Sequence, residues 1–178
     1  MLKSMSKSLL ALVALAATLP AAAATFSFSA VLAGSNESPA NASTATGTTL
    51  VTFDDVLNNV TVNVTFSGLS TNASAGHIHC CSAPGVNSGV AMGFTSFPAN
   101  TSANYNAVLT VFSGANTFAS VLAGANAGLA YVNVHNTNFP GGEIRGNLAP
   151  VPEASTYAMM LAGLAAVGAI ARRRQART

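Results

Sequence analysis

Apolar and polar residues alternate strictly along several stretches of the chain, which is the period of a β-strand with one buried face. The clearest stretch is residues 60–66, where valine and phenylalanine alternate with threonine and asparagine. Residues 26–32 and 105–111 repeat the pattern. Shorter strands are predicted at residues 48–53, 76–79, 89–94, 129–135 and 143–148. The alternation therefore predicts a chain built mainly from half-buried strands.

Turn-forming residues separate these stretches at the spacing found in β-sandwiches. They are Ser38-Pro39, Asn58-Asn59, Pro84-Gly85, Phe97-Pro98 and Pro140-Gly141-Gly142. Only residues 117–123 predict a helix, and it is a short one. Since threonine, valine, serine and asparagine are common here while lysine and glutamate are rare, composition also favours strands over helices. We predict an all-β fold for residues 25–150, an antiparallel Greek-key β-sandwich.

Charged residues are scarce and cluster at the two ends of the chain. They make up 7% of the 178 residues, against roughly 25% in an ordinary soluble domain. The basic residues of the ends are Lys3, Lys7, Arg172, Arg173, Arg174 and Arg177. Between residues 25 and 150 only Arg145 is basic, against four carboxylates. This weakly acidic body excludes a nucleic-acid-binding protein, a disordered polyampholyte and a salt-bridged helical bundle.

Residues 1–24 have the three-part layout of a secretory signal peptide. Two lysines precede an apolar run over residues 9–19, and small residues follow, with an Ala-x-Ala cleavage site at Ala22 and Ala24. A transmembrane helix needs about 20 apolar residues, so this run is too short to be one. We expect the export machinery to recognise this segment and the mature chain to start near Thr25.

Residues 151–178 form a second targeting segment with three features in a fixed order. Val151, Pro152, Glu153 and Ala154 come first, an apolar run over residues 157–171 follows, and Arg172, Arg173 and Arg174 come last. The apolar run is short for a permanent anchor, and the arginines are expected to stay on the cytoplasmic side. The segment predicts a helix that is held transiently in the inner membrane.

The order of these features resembles a PEP-CTERM sorting signal. Ala154 stands where the family usually has a second proline, a variation that the family allows. The resemblance implies processing at the motif by an exosortase, a membrane protease-transpeptidase of Gram-negative bacteria that make extracellular polysaccharide. We expect a membrane-anchored intermediate that is then passed to the cell surface or the extracellular matrix.

The three histidines of the body carry most of its candidate chemistry. His77 and His79 are two residues apart on one predicted strand, so both imidazoles lie on the same face. On a second predicted strand, the alternation turns Asn133 and His135 outward. The histidines are therefore expected on outer faces of the sandwich.

The last predicted strand adds two charged groups to these outer faces. Burial of Ile144 turns Glu143 and Arg145 outward. A hairpin around residues 140–142 would bring His135 towards Glu143. We expect nearly all of the strong polar chemistry of the body to lie on outer faces.

A His-x-His strand with a third histidine is a ligand set suited to copper or zinc, whose borderline acidity favours imidazole. Such a site requires His135 to approach His77 and His79 within a few ångströms. The alternative is that all three side chains hydrogen-bond turns and strand edges. A catalytic metal is disfavoured, because few acid–base partners exist beyond Glu143.

Cys80 and Cys81 are the only cysteines and directly follow His79. Adjacent Cα atoms lie about 3.8 Å apart, below the usual range for a disulfide. In an oxidising compartment the pair can still close a strained vicinal ring, bond to another chain or join a metal site. We favour the vicinal disulfide. A catalytic cysteine is not supported, since no charged base lies beside the pair beyond His79.

Three groups of residues resemble the CHRD domain, a module named after chordin that also occurs in exported bacterial proteins. They are Leu32-Ala33-Gly34 with Glu37, Pro39 and Gly47, then Gly76-His77-Ile78-His79, then residues 131–135 followed by residues 140–146. The resemblance covers residues 25–149 and implies a β-sandwich with Glu37, Asn133, Glu143 and Arg145 in the family motif. The cysteine pair departs from the family, where many members have Gly-Pro or similar after the His-x-His.

The resemblance implies little chemistry, because the domains of chordin are not clearly catalytic. We expect a non-enzymatic surface or matrix protein whose outer faces, rich in asparagine, threonine and serine, bind hydrated polysaccharide in a biofilm. The competing hypothesis is a copper- or zinc-binding domain that uses His77, His79 and His135. The His-x-His strand is loosely similar to the copper ligands of Cu/Zn superoxide dismutase, but the chain lacks that enzyme's zinc loop, so the activity does not carry over.

Overall fold

The computed structural model describes residues 25–175, so the predicted signal peptide lies outside the described part of the chain. Nine strands and two α-helices make up this part. In chain order they are β1 (Thr25–Ala33), β2 (Thr46–Asp54), β3 (Asn59–Ser67), β4 (Ala73–His79), β5 (Val90–Gly93), β6 (Ala103–Leu109), α1 (Phe118–Asn126), β7 (Tyr131–Asn136), β8 (Ile144–Asn147), β9 (Ala149–Pro150) and α2 (Ala154–Gln175). A 3-10 turn, Gly34–Asn36, follows β1.

The strands form one antiparallel sheet in the order β5-β4-β7-β8-β1-β2-β3-β6, and the short strand β9 also pairs with β1. The pairing of β8 with β1 consists of one residue pair, Ala33 with Arg145. The sheet therefore divides there into two halves. The chain passes from one half to the other between β3 and β4, between β5 and β6, between β6 and β7, and between β8 and β9.

The inward side chains of both halves share one hydrophobic core. Phe28 and Val62 come from the half that contains β1 to β3, whereas Ile78, Val132 and Ile144 come from the half that contains β4, β7 and β8. All five are almost completely buried. Two half-sheets that close over one core are a sandwich, and the predicted antiparallel β-sandwich is confirmed.

The predicted helix over residues 117–123 is present, but it runs from Phe118 to Asn126. Thr117 and Ser120 explain where it begins, because they form a capping box. The Thr117 hydroxyl accepts the backbone N–H of Ser120, and the backbone N–H of Thr117 donates to the Ser120 hydroxyl. This reciprocal pair satisfies two N–H groups that a helix start leaves without partners.

The sorting segment folds as α2, and its apolar side chains lie exposed along the helix, Met159 and Leu164 among them. The helix starts four residues after β9 ends. Across residues 25–175, no helix combines the length and the apolar character needed to cross a membrane.

Candidate metal centre

The three histidines come together on one face of the half-sheet that contains β4 and β7. His77 and His79 lie on β4, and the antiparallel register pairs His77 with Asn133 and Ala75 with His135 of β7. His135 is therefore the diagonal neighbour of His77 on the same face. One possible ligand atom from each histidine can be chosen so that all three lie within 4.8 Å of one another.

Backbone carbonyls fix two of the three imidazoles. Nδ1 of His79 lies 2.9 Å from the carbonyl oxygen of Ser88, and Nδ1 of His135 lies 3.0 Å from that of Pro140. A carbonyl can only accept, so each Nδ1 carries the proton and each Nε2 keeps its lone pair. In metalloproteins the same arrangement orients a histidine ligand.

The Nε2 atom of His79 is buried and has no hydrogen-bond partner. A buried acceptor without a partner costs free energy, so such an atom calls for an explanation. Nε2 of His135 differs, because it lies 3.1 Å from Nδ1 of His77. His77 therefore donates its Nδ1 proton to His135, and the His79 lone pair is the buried one left without a partner.

Burial lowers the pKa of all three imidazoles. The pKa of His77 falls to about 4, because repulsion from positive charge on His135 and His79 adds to the effect of burial. Burial also lowers the pKa of His79 and that of His135, and the carbonyl contacts with Ser88 and Pro140 oppose it in part. Neutral imidazole is the form that binds metals, so the group is ready for a metal ion at neutral pH.

The dimensions suit zinc or copper. A tetrahedral zinc ion with nitrogen ligands at about 2.1 Å holds these nitrogens about 3.4 Å apart. Nδ1 of His77 lies 3.1 Å from Nε2 of His135, and one nitrogen from each of the three histidines can be chosen so that all lie within 4.8 Å of one another, which is close to this spacing. Within residues 25–175 no carboxylate or thiol belongs to the group. Three imidazoles leave a fourth coordination position for a ligand from solution.

Tyr131 of β7 packs between His79 and Arg145. The rings of His79 and Tyr131 are nearly parallel, at 4°, with centroids 4.8 Å apart. The guanidinium carbon of Arg145 lies 3.4 Å from the centroid of the Tyr131 ring. Since β4 and β8 flank β7, His79 and Arg145 lie on opposite faces of the Tyr131 ring. The Tyr131 hydroxyl accepts the backbone N–H of Ser88 at 3.0 Å, so the stack also holds the loop that orients His79.

The CHRD domain family model matches residues 28–148, more than half of the chain. The chain belongs to the CHRD domain family. A second model, the PEP-CTERM protein-sorting motif, matches residues 150–175. No curated protein and no solved structure matches the chain. Both resemblances inferred from the sequence are confirmed, and this CHRD protein is exported and sorted by an exosortase.

The motif residues of the CHRD domain were expected on outer faces of the sandwich, but they are not exposed to solvent. Asn133, Glu143 and Arg145 are fully buried, and His135 and Glu37 nearly so. Asn133, His135 and Arg145 do lie on the outer face of their strands, but loops cover that face. The loops after β1, after β4 and after β7 supply the cover, which strand alternation cannot predict.

Glu37 enters this buried face from the loop after β1. One of its oxygens accepts the side-chain amide of Asn133 at 3.4 Å, and its other oxygen has no partner. The side-chain oxygen of Asn133 and Nε of Arg145 are also buried without partners. Burial raises the pKa of Glu37 to about 7, although the charge of Arg145 and the Asn133 amide act in the opposite direction.

Arg145 is held by the loop that follows β4. Its guanidinium donates to the side-chain oxygen of Asn87 at 3.0 Å and to the carbonyl of Val86 at 3.3 Å. The same loop carries Ser88, the acceptor for His79. Arg145 therefore ties β8 to the segment that orients a candidate metal ligand.

Glu143 anchors a different set of loops and is not part of the histidine group. Its carboxylate accepts from the hydroxyl of Ser43 at 2.6 Å and from the backbone N–H and hydroxyl of Ser70. It also accepts from the side-chain amide of Asn136, the residue next to His135. The hairpin thus brings Glu143 towards His135 in space, but all hydrogen bonds of the Glu143 carboxylate go to other groups.

Cys80 and Cys81 are joined by a disulfide across a cis peptide bond. The disulfide packs on α1, where a side chain at Gly124 would lie 2.2 Å from Sγ of Cys80. Both sulfurs are taken, so neither is available to the histidine group as a thiolate.

The sequence did not point to the groups that orient the ligands. Ser88 and Pro140 accept hydrogen bonds from the histidines through their backbone carbonyls. Every residue has such a carbonyl, so the residue type does not reveal this role. Tyr131 had a signal, since it lies within the CHRD motif two residues before Asn133. Its role became visible only through its position between His79 and Arg145.

Proposed function

We propose that this CHRD domain binds one copper or zinc ion outside the cytoplasm through His77, His79 and His135. His79 and His135 would bind through Nε2, and His77 through Nδ1. The observation that carries the proposal is the buried Nε2 lone pair of His79, which lacks a hydrogen-bond partner within a group of three neutral imidazoles. A bound metal ion gives that lone pair a partner.

The proposed role is binding and not catalysis. A hydrolytic metal site needs a nearby group that moves protons, and within residues 25–175 no carboxylate belongs to the histidine group. Glu143 accepts hydrogen bonds from Ser43, Ser70 and Asn136. Glu37 contacts Asn133.

The test is metal stoichiometry of the purified exported protein after exposure to copper(II) and to zinc(II), followed by removal of loosely bound ions. We expect one ion per chain, and less than a tenth of that in the His79→Phe and His135→Phe variants. Asn106→Ala, which removes an exposed amide from β6, is the matched control and should bind like the unmodified chain. Unmodified protein that retains no metal would overturn the proposal.

A second proposed function, attachment to extracellular polysaccharide, is favoured by the outer face of β1, β2, β3 and β6. This face carries hydroxyl and amide side chains in register across the strands, such as Thr52 beside Thr61 and Asn63 beside Asn106. A surface of this kind, with few charges, offers many hydrogen bonds to neutral sugars. We test it by sedimenting the protein with polysaccharide purified from the producing cells, where Thr61→Glu should reduce binding several-fold and Gly93→Ser, on the other half-sheet, should not.

We further propose that the apolar run of residues 157–171 holds the precursor in the inner membrane until processing. The arginines after it would remain on the cytoplasmic side. Deletion of residues 151–178 should leave the domain free in the periplasm or medium, without the mass change that processing brings. A truncated protein that still fractionates with membranes and matures normally would contradict this anchoring.

A further inference from the structure

Both ends of the folded domain leave it at the same place. Strand β9 pairs with the first half of β1, with Pro150 opposite Phe28. The backbone N–H of Val151 donates to the carbonyl of Ser27 at 2.8 Å. Since β1 starts at Thr25, the predicted signal-peptide junction and the start of the sorting motif lie side by side. We call this end of the sandwich the tail pole.

The turn between β2 and β3 lies at the tail pole, because Asp54 pairs with Thr25. This turn exposes two aliphatic side chains, Val56 at 64% and Leu57 at 67%. The turn is ordered, since a carboxylate oxygen of Asp54 accepts the backbone N–H groups of both residues at 3.0 and 2.8 Å. An ordered apolar tip therefore projects beside the sorting motif.

A third exposed aliphatic side chain comes from the edge strand. Leu109, the last residue of β6, pairs with Val60 next to the same turn. Val111 follows two residues later and is 75% exposed. Single exposed aliphatic residues are ordinary on protein surfaces, whereas several at one pole mark a contact surface.

The tail keeps this pole close to the membrane that receives it. Between Val151, the last residue bonded to β1, and Tyr157, where the apolar run starts, the chain spans about 20 Å at full extension. The first turn of α2 falls within this stretch and shortens it further. A tether of this length gives the tail pole a high effective concentration at the bilayer surface, so a weak contact with lipid is enough to hold the pole there.

We infer that the tail pole rests on the lipid bilayer, with Val56, Leu57 and Val111 in the interfacial layer, while the precursor is anchored. This inference rests on the proposed anchoring by residues 157–171. The ionisable groups at this pole are acidic, Asp54 and Asp55 on the turn and Glu153 in the motif. Anionic lipid therefore does not attract the pole, and the apolar side chains make the contact with zwitterionic lipid.

The experiment places a fluorescent label at position 57 of the tail-bearing protein and adds it to phosphatidylcholine vesicles that carry nitroxide-labelled lipid. The Leu57→Cys variant takes the label, because the two native cysteines are joined to each other. Val31→Cys is the matched control, since Val31 is equally exposed, at 68%, near the other end of β1. We expect quenching at position 57 at least about 3-fold stronger than at position 31.

The outcomes separate the inference from the anchoring on which it rests. Protein that does not float with the vesicles contradicts the anchoring. Protein that floats but shows equal quenching at positions 57 and 31 overturns the inference. A second pair of variants, Val56→Ser and Val111→Ser in the labelled protein, should reduce the quenching at position 57. If the label at position 57 is protected from solvent only when exosortase is added to the vesicles, the tail pole contacts a protein partner. That result would overturn the proposed contact with lipid.

Discussion

Nδ1 of His77 lies 3.1 Å from Nε2 of His135, although 58 residues separate the two histidines in the chain. The antiparallel pairing of β4 with β7 produces this contact. His135 already uses its Nδ1 proton on the carbonyl of Pro140, so His77 is the donor. For a metal ion to bind Nδ1 of His77, the proton of that imidazole would move from Nδ1 to Nε2, so His77 would stay neutral and would release no proton.

This arrangement predicts that metal binding releases fewer protons in mildly acidic solution than three ordinary histidines would. Three ordinary histidines with a pKa near 6.5 would together release about two protons on binding zinc at pH 6. Burial lowers the pKa of His79 and His135, and that of His77 to about 4, so fewer protons are bound to the group before the metal arrives. Calorimetry in two buffers of different ionisation enthalpy measures the number, and a release of two protons would contradict the account.

Glu37 should make stability depend on pH in the direction opposite to an ordinary carboxylate. Its pKa is raised from 4.5 to about 7 by burial, so the folded chain keeps a proton that the unfolded chain loses. Its contribution is full below pH 4.5 and is lost as pH rises towards 7. Glu37→Gln removes this loss and offers an amide donor to the unpartnered oxygen of Asn133.

The measurement for Glu37 is urea unfolding of both proteins between pH 4.5 and 8. The unfolding free energy of Glu37→Gln, relative to that of the unmodified chain, should rise by about 1–2 kcal/mol between pH 4.5 and pH 8. The lowered histidine pKa values act on both proteins alike and cancel in the difference. A difference that stays constant with pH would show that Glu37 does not titrate as described.

Gly124→Ala should destabilise the domain although it lies in a helix. Glycine to alanine in a helix ordinarily stabilises by up to about 1 kcal/mol. Here the new methyl group would lie 2.2 Å from Sγ of Cys80 and 2.7 Å from Sγ of Cys81. We expect a loss of about 1–3 kcal/mol from overpacking. Gly163→Ala in α2, with no atom within 4 Å, is the control and should leave the domain unchanged.

Glu143→Ala should be among the most damaging single substitutions. It leaves donors of Ser43, Ser70 and Asn136 without their buried acceptor. The expected cost is about 3 kcal/mol or more, measured by thermal or urea unfolding. Glu143→Gln keeps the shape and one acceptor oxygen and should cost less. Equal stability of Glu143→Ala and the unmodified chain would refute the anchoring role of this carboxylate.

Strand alternation was sufficient to predict the sandwich and part of the histidine group. Residues 60–66 alternate cleanly because one face of β3 packs on the core, and the same period of two places His77 and His79 together. The pairing of β7 with β4 was not predictable, because it depends on the order of strands far apart in the chain. Strand β9 was missed because two residues are too few to show a period.

The burial of the outer face that carries Asn133 and Arg145 was the main feature that could not be predicted from the sequence. Alternation marks Asn133 and Arg145 as facing away from the core, and in most sandwiches that means water. Here the loop with Glu37 and the loop with Asn87 and Ser88 cover the face. A polar face under loops loses solvent, which is why its imidazoles stay neutral and one lone pair stays without a partner.

The most direct test of the metal centre is NMR of the imidazole nitrogens during titration with zinc(II). With one equivalent of zinc, Nε2 of His79, Nε2 of His135 and Nδ1 of His77 should all shift towards the values of metal-bound nitrogen. Nδ1 of His79 and His135 should keep their protons, because Ser88 and Pro140 still accept them. Imidazole signals that do not change, or a change confined to one histidine, would contradict a three-histidine centre.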